Sequence, residues 1–127
     1  MRRAAVLSLS VLLITSCTGH GPLKVTTADA GHTIELSKGE ELQVVLDANR
    51  STGFGWTFVN SSPSIVVPVG DPEYKQAASG LMGAGGTEIW RLRATDTGRQ
   101  AVRFEYRRPW EPDAPPARVV TFKIAVE

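Results

Sequence analysis

The chain has 127 residues, a formal net charge of +1 and 21% charged residues. This length suits one domain with one hydrophobic core, and the near-neutral charge excludes the basic field that would attract nucleic acid. The 12 glycines and 8 prolines, with scattered β-branched residues, favour many turns and few helices.

The N-terminal residues have the pattern of an export signal. Arg2 and Arg3 precede an apolar stretch over 4–14. A stretch of this length suits a signal peptide, because it is shorter than the roughly 20 residues that a transmembrane helix needs. We therefore expect the chain to be exported.

The signal ends in Ile14–Cys17, which resembles a bacterial lipobox with Cys17 as the residue that takes the lipid. The alternative is an ordinary secretory signal that leaves Cys17 as a free thiol, which invites oxidation in an exported protein. We expect lipidation, and hence an anchor on the periplasmic or outer-surface side of a bacterial cell envelope. The expected division is a signal peptide over 1–16, a lipidated cysteine with a short tether over 17–22, and a folded domain over 23–127.

Beyond the tether, alternation of apolar and polar residues predicts a series of β-strands, each with one dry face and one wet face. Many short strands separated by turns indicate an all-β protein with an immunoglobulin-like antiparallel β-sandwich fold. We expect Trp56 and Trp90 to lie on inward faces. The predicted strands are Lys24–Ala28, Thr33–Leu36, Glu41–Leu46, Gly55–Phe58, Trp90–Thr95, Val102–Arg107 and Val120–Val126.

Three segments rich in turn-forming residues lie between the predicted strands. They are the first loop, Asn49–Phe54, the second loop, Gly83–Gly86, and the third loop, Arg108–Trp110. A β-sandwich can gather such loops at one end and present them together. This arrangement favours a protein that binds another protein.

At these loops the sequence resembles the chagasin family of cysteine-peptidase inhibitors, which carries N-P-T-T-G-Y/F, G-x-G-G and R-P-W/F loops in this order. The resemblance implies a sandwich whose loops form a wedge in the cleft of a papain-like cysteine peptidase. The first loop would cover the catalytic cysteine and histidine, with the other loops on either side. The residues that this implies for peptidase binding are Asn49, Ser51, Thr52, Gly53, Phe54, Gly83, Gly85, Gly86, Arg108, Pro109 and Trp110.

Two residues depart from the family pattern. Arg50 stands where the best-known members have proline, and Ser51 replaces threonine. Proline fixes φ and lowers the cost of ordering a loop, so Arg50 gives up some of that stiffness. Ser51 keeps the hydroxyl group.

Residue chemistry gives the first loop a physical role. We expect Asn49 to fold its side chain onto the loop backbone, as asparagine does in turns. Gly53 has no Cβ, which would let the backbone approach a peptidase closely. Phe54 is expected to support the base of the loop.

The other two loops have residues suited to contact. Gly85 and Gly86 are expected to offer bare peptide groups to extended backbone in a cleft. Trp110, held by Pro109, is a rigid amphipathic plate of the kind that forms binding hot spots. Arg108 is free to bond to loop carbonyls or to an acid on the target.

Enzymatic readings have little support. The two histidines, His20 and His32, form no metal-ligand pattern, and no serine lies in a G-x-S-x-G elbow. We therefore expect no enzyme activity, no cofactor and no metal, and we expect a monomer.

Two alternative functions stay open: an envelope adhesion or assembly module that uses the same loops on a non-peptidase partner, and a lipoprotein that binds a small ligand.

Overall fold

The structure, a computed structural model, describes residues 22–59, 63–77 and 85–127. The expectations for Cys17, for the signal peptide and for Gly83 therefore lie outside the described residues. Within the described ranges, no helix has the length and apolarity that crossing a membrane requires.

Nine strands in the described residues form two sheets that pack face to face. The first sheet has the order β1-β3-β7-β5, with β6 also paired to β7, and the second has the order β2-β9-β8-β4. The strands are β1 Leu23–Thr26, β2 Thr33–Leu36, β3 Glu41–Ala48, β4 Gly55–Val59, β5 Val66–Pro68, β6 Glu73–Gln76, β7 Gly86–Ala94, β8 Gly98–Arg107 and β9 Arg118–Val126. The predicted all-β sandwich is confirmed.

The strand directions differ from the purely antiparallel arrangement that was expected. β1 pairs parallel to β3, and β2 pairs parallel to β9, so both sheets are mixed. β1 and β2 are consecutive in the chain but belong to opposite sheets. Each pairs with a strand that comes later in the chain, β1 with β3 and β2 with β9. Alternation with period two is the same in parallel and antiparallel strands, so the sequence pattern carries no information on direction.

The first strand is shorter than predicted because a capped turn ends it. The predicted strand ran to Ala28, but the residues Thr27–Asp29 form a 3-10 turn. The Thr26 hydroxyl accepts a hydrogen bond from the Ala28 backbone N–H at 3.3 Å, and the Asp29 carboxylate accepts one from the Thr26 N–H at 2.8 Å. This capping box satisfies backbone donors at the start of the turn and so stabilises the end of the strand.

The core consists of the inward-facing residues of both sheets. Leu42, Val44 and Leu46 of β3 are fully buried and pack in one cluster with Phe104 and Phe122 of the second sheet. Burying each such side chain contributes about 1.5–3 kcal/mol to stability. As expected, Trp56 lies in the core, and Trp90 is half-buried against it.

Strand register brings the loops to one end of the sandwich. Ala48, which precedes the first loop, pairs with Gly86, the last residue of the second loop. Gly55, which follows the first loop, pairs with Arg107 before the third. At the opposite end, Leu23 pairs with Leu42 near the start of β3. The chain therefore enters the domain at the pole opposite to the loops.

Candidate binding edge

The first loop contains a tight turn whose shape is set by its own side chains. Arg50–Thr52 form a 3-10 turn with Asn49 as its N-cap. The Asn49 Oδ1 accepts hydrogen bonds from the Ser51 N–H at 3.1 Å and from the Ser51 hydroxyl at 2.6 Å. The Thr52 hydroxyl donates to the Asn49 carbonyl oxygen at 2.7 Å. The side chain of Asn49 thus folds onto the loop backbone, as the sequence predicted.

Gly53 ends this turn in a left-handed conformation. Its φ is +79°, and its N–H donates to the Arg50 carbonyl oxygen at 3.0 Å. A Cβ built on Gly53 would overlap Cη2 of the Trp110 indole. Glycine is therefore required here for two reasons inside the molecule, the left-handed backbone and the space taken by the indole. From the sequence, the missing Cβ was expected to let a bound peptidase approach the backbone.

A direct hydrogen bond joins the third loop to the first. The Arg108 Nε donates to the Thr52 carbonyl oxygen at 3.2 Å. The guanidinium of Arg108 also lies 4.4 Å from the centre of the Phe54 ring, within cation–π range. Of the two bonding partners expected for Arg108, the structure shows the loop carbonyl.

The tip of the third loop is a reverse turn that displays a tryptophan. The Glu111 N–H donates to the Arg108 carbonyl oxygen at 3.0 Å, which places Pro109 and Trp110 at the two central positions. Proline suits the first of these positions because its φ is already fixed. The Trp110 residue is 65% exposed, although its ring rests on Gly53. A large aromatic plate is therefore held in place on the surface.

A stack of aromatic side chains supports the first loop from below. Phe54 stacks on Tyr106 with ring centres 5.2 Å apart, and Tyr106 lies 4.9 Å from Trp56. The Tyr106 hydroxyl accepts a hydrogen bond from the Asn49 N–H at 2.8 Å. Phe54 thus supports the base of the loop as expected, whereas the part played by Tyr106 was not predicted.

The second loop reaches the same end of the molecule, but its glycines serve the sheet. Gly86 lies in β7 with Ala48 of β3 on one side and Gln76 of β6 on the other. A Cβ on Gly86 would overlap the Lys75 carbonyl oxygen. The expectation of bare peptide groups at Gly86 is therefore corrected, because strands occupy both of its sides.

Within the described part of the second loop, Gly85 is more accessible than Gly86. It is exposed, and its carbonyl oxygen accepts a hydrogen bond from the Ala77 N–H at 3.0 Å. We use the name binding edge for the surface formed by Asn49–Phe54, Gly85, Gly86 and Arg108–Trp110. Contacts between the first and third loops, and the pairing of Ala48 with Gly86, bring these segments together.

A carboxylate lies beneath the binding edge, between the sheets. Glu88 is only 5% exposed. Its Oε1 accepts a hydrogen bond from the Trp90 indole N–H at 2.8 Å, and its Oε2 accepts one from the Trp56 backbone N–H at 3.4 Å. Burial raises the pKa of Glu88 above the ordinary value of 4.5, although these hydrogen bonds and the charge of Arg50 oppose the shift.

The sequence contains a signal for the burial of Glu88. The alternation of Trp90, Leu92 and Ala94 on the inward face, extended back by one step, places Glu88 on the same face. Tyr106 likewise follows Val102 and Phe104 on an inward face, but alternation alone does not show what its hydroxyl bonds to. Among the described residues, no cluster of three His, Cys, Asp or Glu side chains is placed to hold a metal ion.

Comparison with known proteins places these features in a family. The model of the family described as "Chagasin family peptidase inhibitor I42" matches residues 35–126. Chagasin of Trypanosoma cruzi is 37% identical over 90 residues, which cover 68% of this chain and 82% of that protein. Amoebiasin-1 of Entamoeba histolytica is 34% identical over 107 residues, covering 83% of this chain and 100% of the relative.

Solved structures share the fold. The cysteine protease inhibitor EhICP2 from Entamoeba histolytica superimposes with a TM-score of 0.71 at 22% identity, covering 83% of this chain and 95% of the other. PbICP-C, solved in complex with falcipain-2, gives a TM-score of 0.53 at 19% identity, with 84% and 91% covered. On the family match and the identity to Chagasin, this chain belongs to the chagasin family of peptidase inhibitors.

Proposed function

We propose that this chain inhibits papain-like cysteine peptidases reversibly and without a covalent bond, by placing the binding edge in the active-site cleft. The observation that carries the proposal is the seating of Trp110 on Gly53, which joins the first and third loops into one exposed surface. Membership of a family of peptidase inhibitors supports the same activity. The chain itself acts as a ligand of the enzyme and performs no catalysis.

The tip of the first loop is suited to cover a catalytic centre without being cut. Thr52 and Gly53 are small residues at the end of a hydrogen-bonded turn, and the left-handed Gly53 bends the backbone away from an extended path. A peptidase needs to align an extended segment so that its nucleophile reaches a carbonyl carbon. The closed turn opposes that alignment, so the tip would block the centre while staying intact.

The neighbouring segments would hold the walls of the cleft. Trp110 offers the large apolar area that typically dominates an interface, and its position beside Arg108 and Pro109 restricts its motion. Gly85 lies exposed on the other flank, next to the pairing of Ala48 with Gly86. A loop that is already held in its bound shape loses less conformational entropy when it docks, which raises affinity for a given buried area.

A titration of papain tests the proposal. The domain Leu23–Glu127, which contains every described strand, should abolish papain activity at about one equivalent and be recovered uncleaved. The same amounts should leave trypsin, a serine peptidase, fully active. Papain that keeps its full rate in a large excess of the domain would favour a binding module for another partner, and steady cleavage of the domain would identify it as a substrate.

We also propose that a lipid on Cys17 anchors the domain to a bacterial cell envelope, with 1–16 removed as a signal peptide. The lipobox resemblance at Ile14–Cys17 motivates this part of the proposal. The five residue-to-residue steps from Cys17 to Pro22 span at most about 18 Å. Because the chain enters the domain at the pole opposite to the loops, such a tether would leave the binding edge directed away from the membrane.

Replacing the lipid acceptor tests the anchor. Cys17→Ser should move the protein from the membrane fraction to the soluble fraction of the producing cells while papain inhibition is kept. Thr18→Ala serves as a matched control that keeps the thiol and should stay with the membrane. If the C17S protein stays with the membrane, the lipid is not on Cys17.

A further inference from the structure

We infer that Arg50 is a positioning residue that holds the first loop against β6 through the ring of Tyr74. The inference rests on the proposed function, since the first loop is the part that would cover the catalytic centre. The guanidinium carbon of Arg50 lies 4.4 Å from the centre of the Tyr74 ring. This separation is well inside the range in which an arginine is attracted to the face of an aromatic ring.

Tyr74 is a fixed support for this contact. It lies in β6, pairs with Glu88 of β7, and packs in a half-buried position against the core. Its hydroxyl oxygen would lie 2.8 Å from a Cβ built on Gly86, so the absence of a side chain there gives the ring its place. A contact with such a ring restrains the loop more than a contact with a mobile surface side chain.

The charge of Glu88 strengthens the arrangement. This carboxylate lies beneath the edge, and the charge of Arg50 is among the causes that lower its pKa against the effect of burial. Arg50 is therefore attracted both by the Tyr74 ring and by a carboxylate behind it. Electrostatic attraction of this kind is weakly screened when one partner is buried.

The contact completes a symmetrical support of the first loop. On the side of the third loop, the Arg108 guanidinium lies 4.4 Å from the Phe54 ring and bonds to the Thr52 carbonyl. On the side of β6, Arg50 makes the corresponding contact with Tyr74. The stiffness that a proline at position 50 would supply through its ring is supplied here by a side-chain contact across the edge.

A double-mutant cycle on papain inhibition tests the inference. Arg50→Ala and Tyr74→Leu should each raise the inhibition constant roughly two- to fivefold, the range expected for an exposed cation–π contact. The double variant should be no weaker than the weaker single variant, because both changes remove the same contact. Arg50→Lys and Tyr74→Phe should inhibit nearly as well as the wild type, because lysine keeps the positive charge and phenylalanine keeps the aromatic ring. Arg99→Ala, at the opposite pole, controls for the loss of one positive charge.

Arg50→Pro gives a second, independent arm. Asn49 has φ −131° and ψ 100°, an extended conformation that tolerates a following proline, and position 50 is the first residue of the turn. Arg50→Pro should inhibit as well as the wild type, and adding Tyr74→Leu to it should then have no effect. If Tyr74→Leu weakens both backgrounds equally, Tyr74 acts without Arg50 and the inference is overturned.

Measurements on the free domain separate this inference from the proposed function. In NMR spectra, the Arg50 δ-methylene protons should be shifted upfield by the Tyr74 ring, and the shift should vanish in Y74L. The Gly53 amide, which bonds to the Arg50 carbonyl, should exchange with solvent two- to fivefold faster in R50A. Normal shifts and unchanged exchange would refute the positioning role, whether or not papain is inhibited. If R50A weakens inhibition equally with and without Tyr74, Arg50 contacts the target directly.

Discussion

Gly53 and Trp110 make the contact on which the shape of the binding edge depends most directly. The two residues are far apart in the chain, yet the indole occupies the space where a side chain at position 53 would lie. The contact fixes the left-handed end of the first loop and the orientation of the exposed tryptophan together. Changes at either residue should therefore affect binding more than they affect the sandwich.

Gly53→Ala tests this coupling against a matched glycine. The substitution should weaken papain inhibition at least tenfold, because an alanine at φ +79° is strained and its Cβ displaces the Trp110 ring. Gly39→Ala is the control, since Gly39 has φ +89° but open space around its Cβ position. Thermal unfolding should show a similar loss of about 1 kcal/mol in both variants. Equal inhibition by G53A and G39A would mean that the contact with Trp110 has no part in binding.

Trp110→Ala tests the exposed aromatic plate. Loss of the indole should cost about 2–4 kcal/mol of binding free energy, as for other central aromatic anchors, with little change in the free energy of unfolding. Val119→Ala, which truncates an exposed apolar residue on β9, should leave the inhibition constant as it was. Calorimetric or kinetic titration of papain measures both. An unchanged inhibition constant for W110A would remove Trp110 from the interface.

Local rules explain which residue-level predictions succeeded. The Asn49 side chain folds onto a backbone group two positions on, and this tendency depends only on neighbouring residues. The reason for glycine at position 53 depends on a side chain contributed by another loop. Such a contact between distant residues has no local signature, so the glycine was expected to serve a partner outside the molecule.

At the scale of elements, the end of β8 anchors the first loop. Tyr106 is buried at that end, and its hydroxyl accepts the hydrogen bond from the Asn49 N–H. β8 thus supports the first loop through the hydroxyl oxygen of Tyr106, which lies at the end of an otherwise apolar strand face.

Tyr106→Phe isolates the contribution of that atom. The phenyl ring keeps the stacking with Phe54, while the loss of the hydroxyl removes an acceptor from a partly buried N–H. We expect the free energy of unfolding to fall by about 1–2 kcal/mol and the inhibition constant to rise. Thr121→Val, which removes a hydroxyl from an exposed position on β9, should lower stability less and raise the inhibition constant less than Tyr106→Phe. A Y106F variant with wild-type stability and inhibition would show that the hydrogen bond does not position the loop.

The buried Glu88 of β7 predicts a pH dependence with a definite sign. Its pKa is raised above 4.5 in the folded state, so between that value and the higher folded pKa the folded chain binds more protons than the unfolded chain. The contribution of Glu88 to stability therefore falls as pH rises through this window and is constant above it. Glu88→Gln removes the titration. Urea unfolding should show that the wild type loses stability relative to E88Q as pH rises from about 4.5; a difference that is constant or grows would contradict the raised pKa.

Element-level prediction succeeded where apolar and polar residues alternate, as in the four-residue β2, Thr33–Leu36, and failed where they do not. The long strands β3, β7, β8 and β9 were all found at least in part, because each shows several apolar–polar repeats. β5 has three residues, one of them proline, and β6 is a short polar strand, so neither has a period to detect. These two strands complete the edge of the first sheet beside β7.

At the scale of the whole molecule, the sandwich acts as a rigid holder with two different poles. One pole carries the binding edge, and the other receives the chain at Leu23 and the turn that contains Gly39. The convergence of the loops was predicted from the sandwich architecture and from the family resemblance together. The strand directions and the contacts that join the loops were not predicted. They depend on which distant segments pair, and neither the alternation of apolar residues nor the composition specifies that.

Hydrogen exchange on the complex with papain is the most direct test that the three loops act as one docking surface. Amides of Asn49–Phe54, Gly85–Gly86 and Trp110 should exchange more slowly in the complex than in the free domain, while those of the distal turn at Ser37–Glu40 should be unchanged. Protection confined to the distal turn or to the outer faces of the sheets, with none at the loops, would contradict the account.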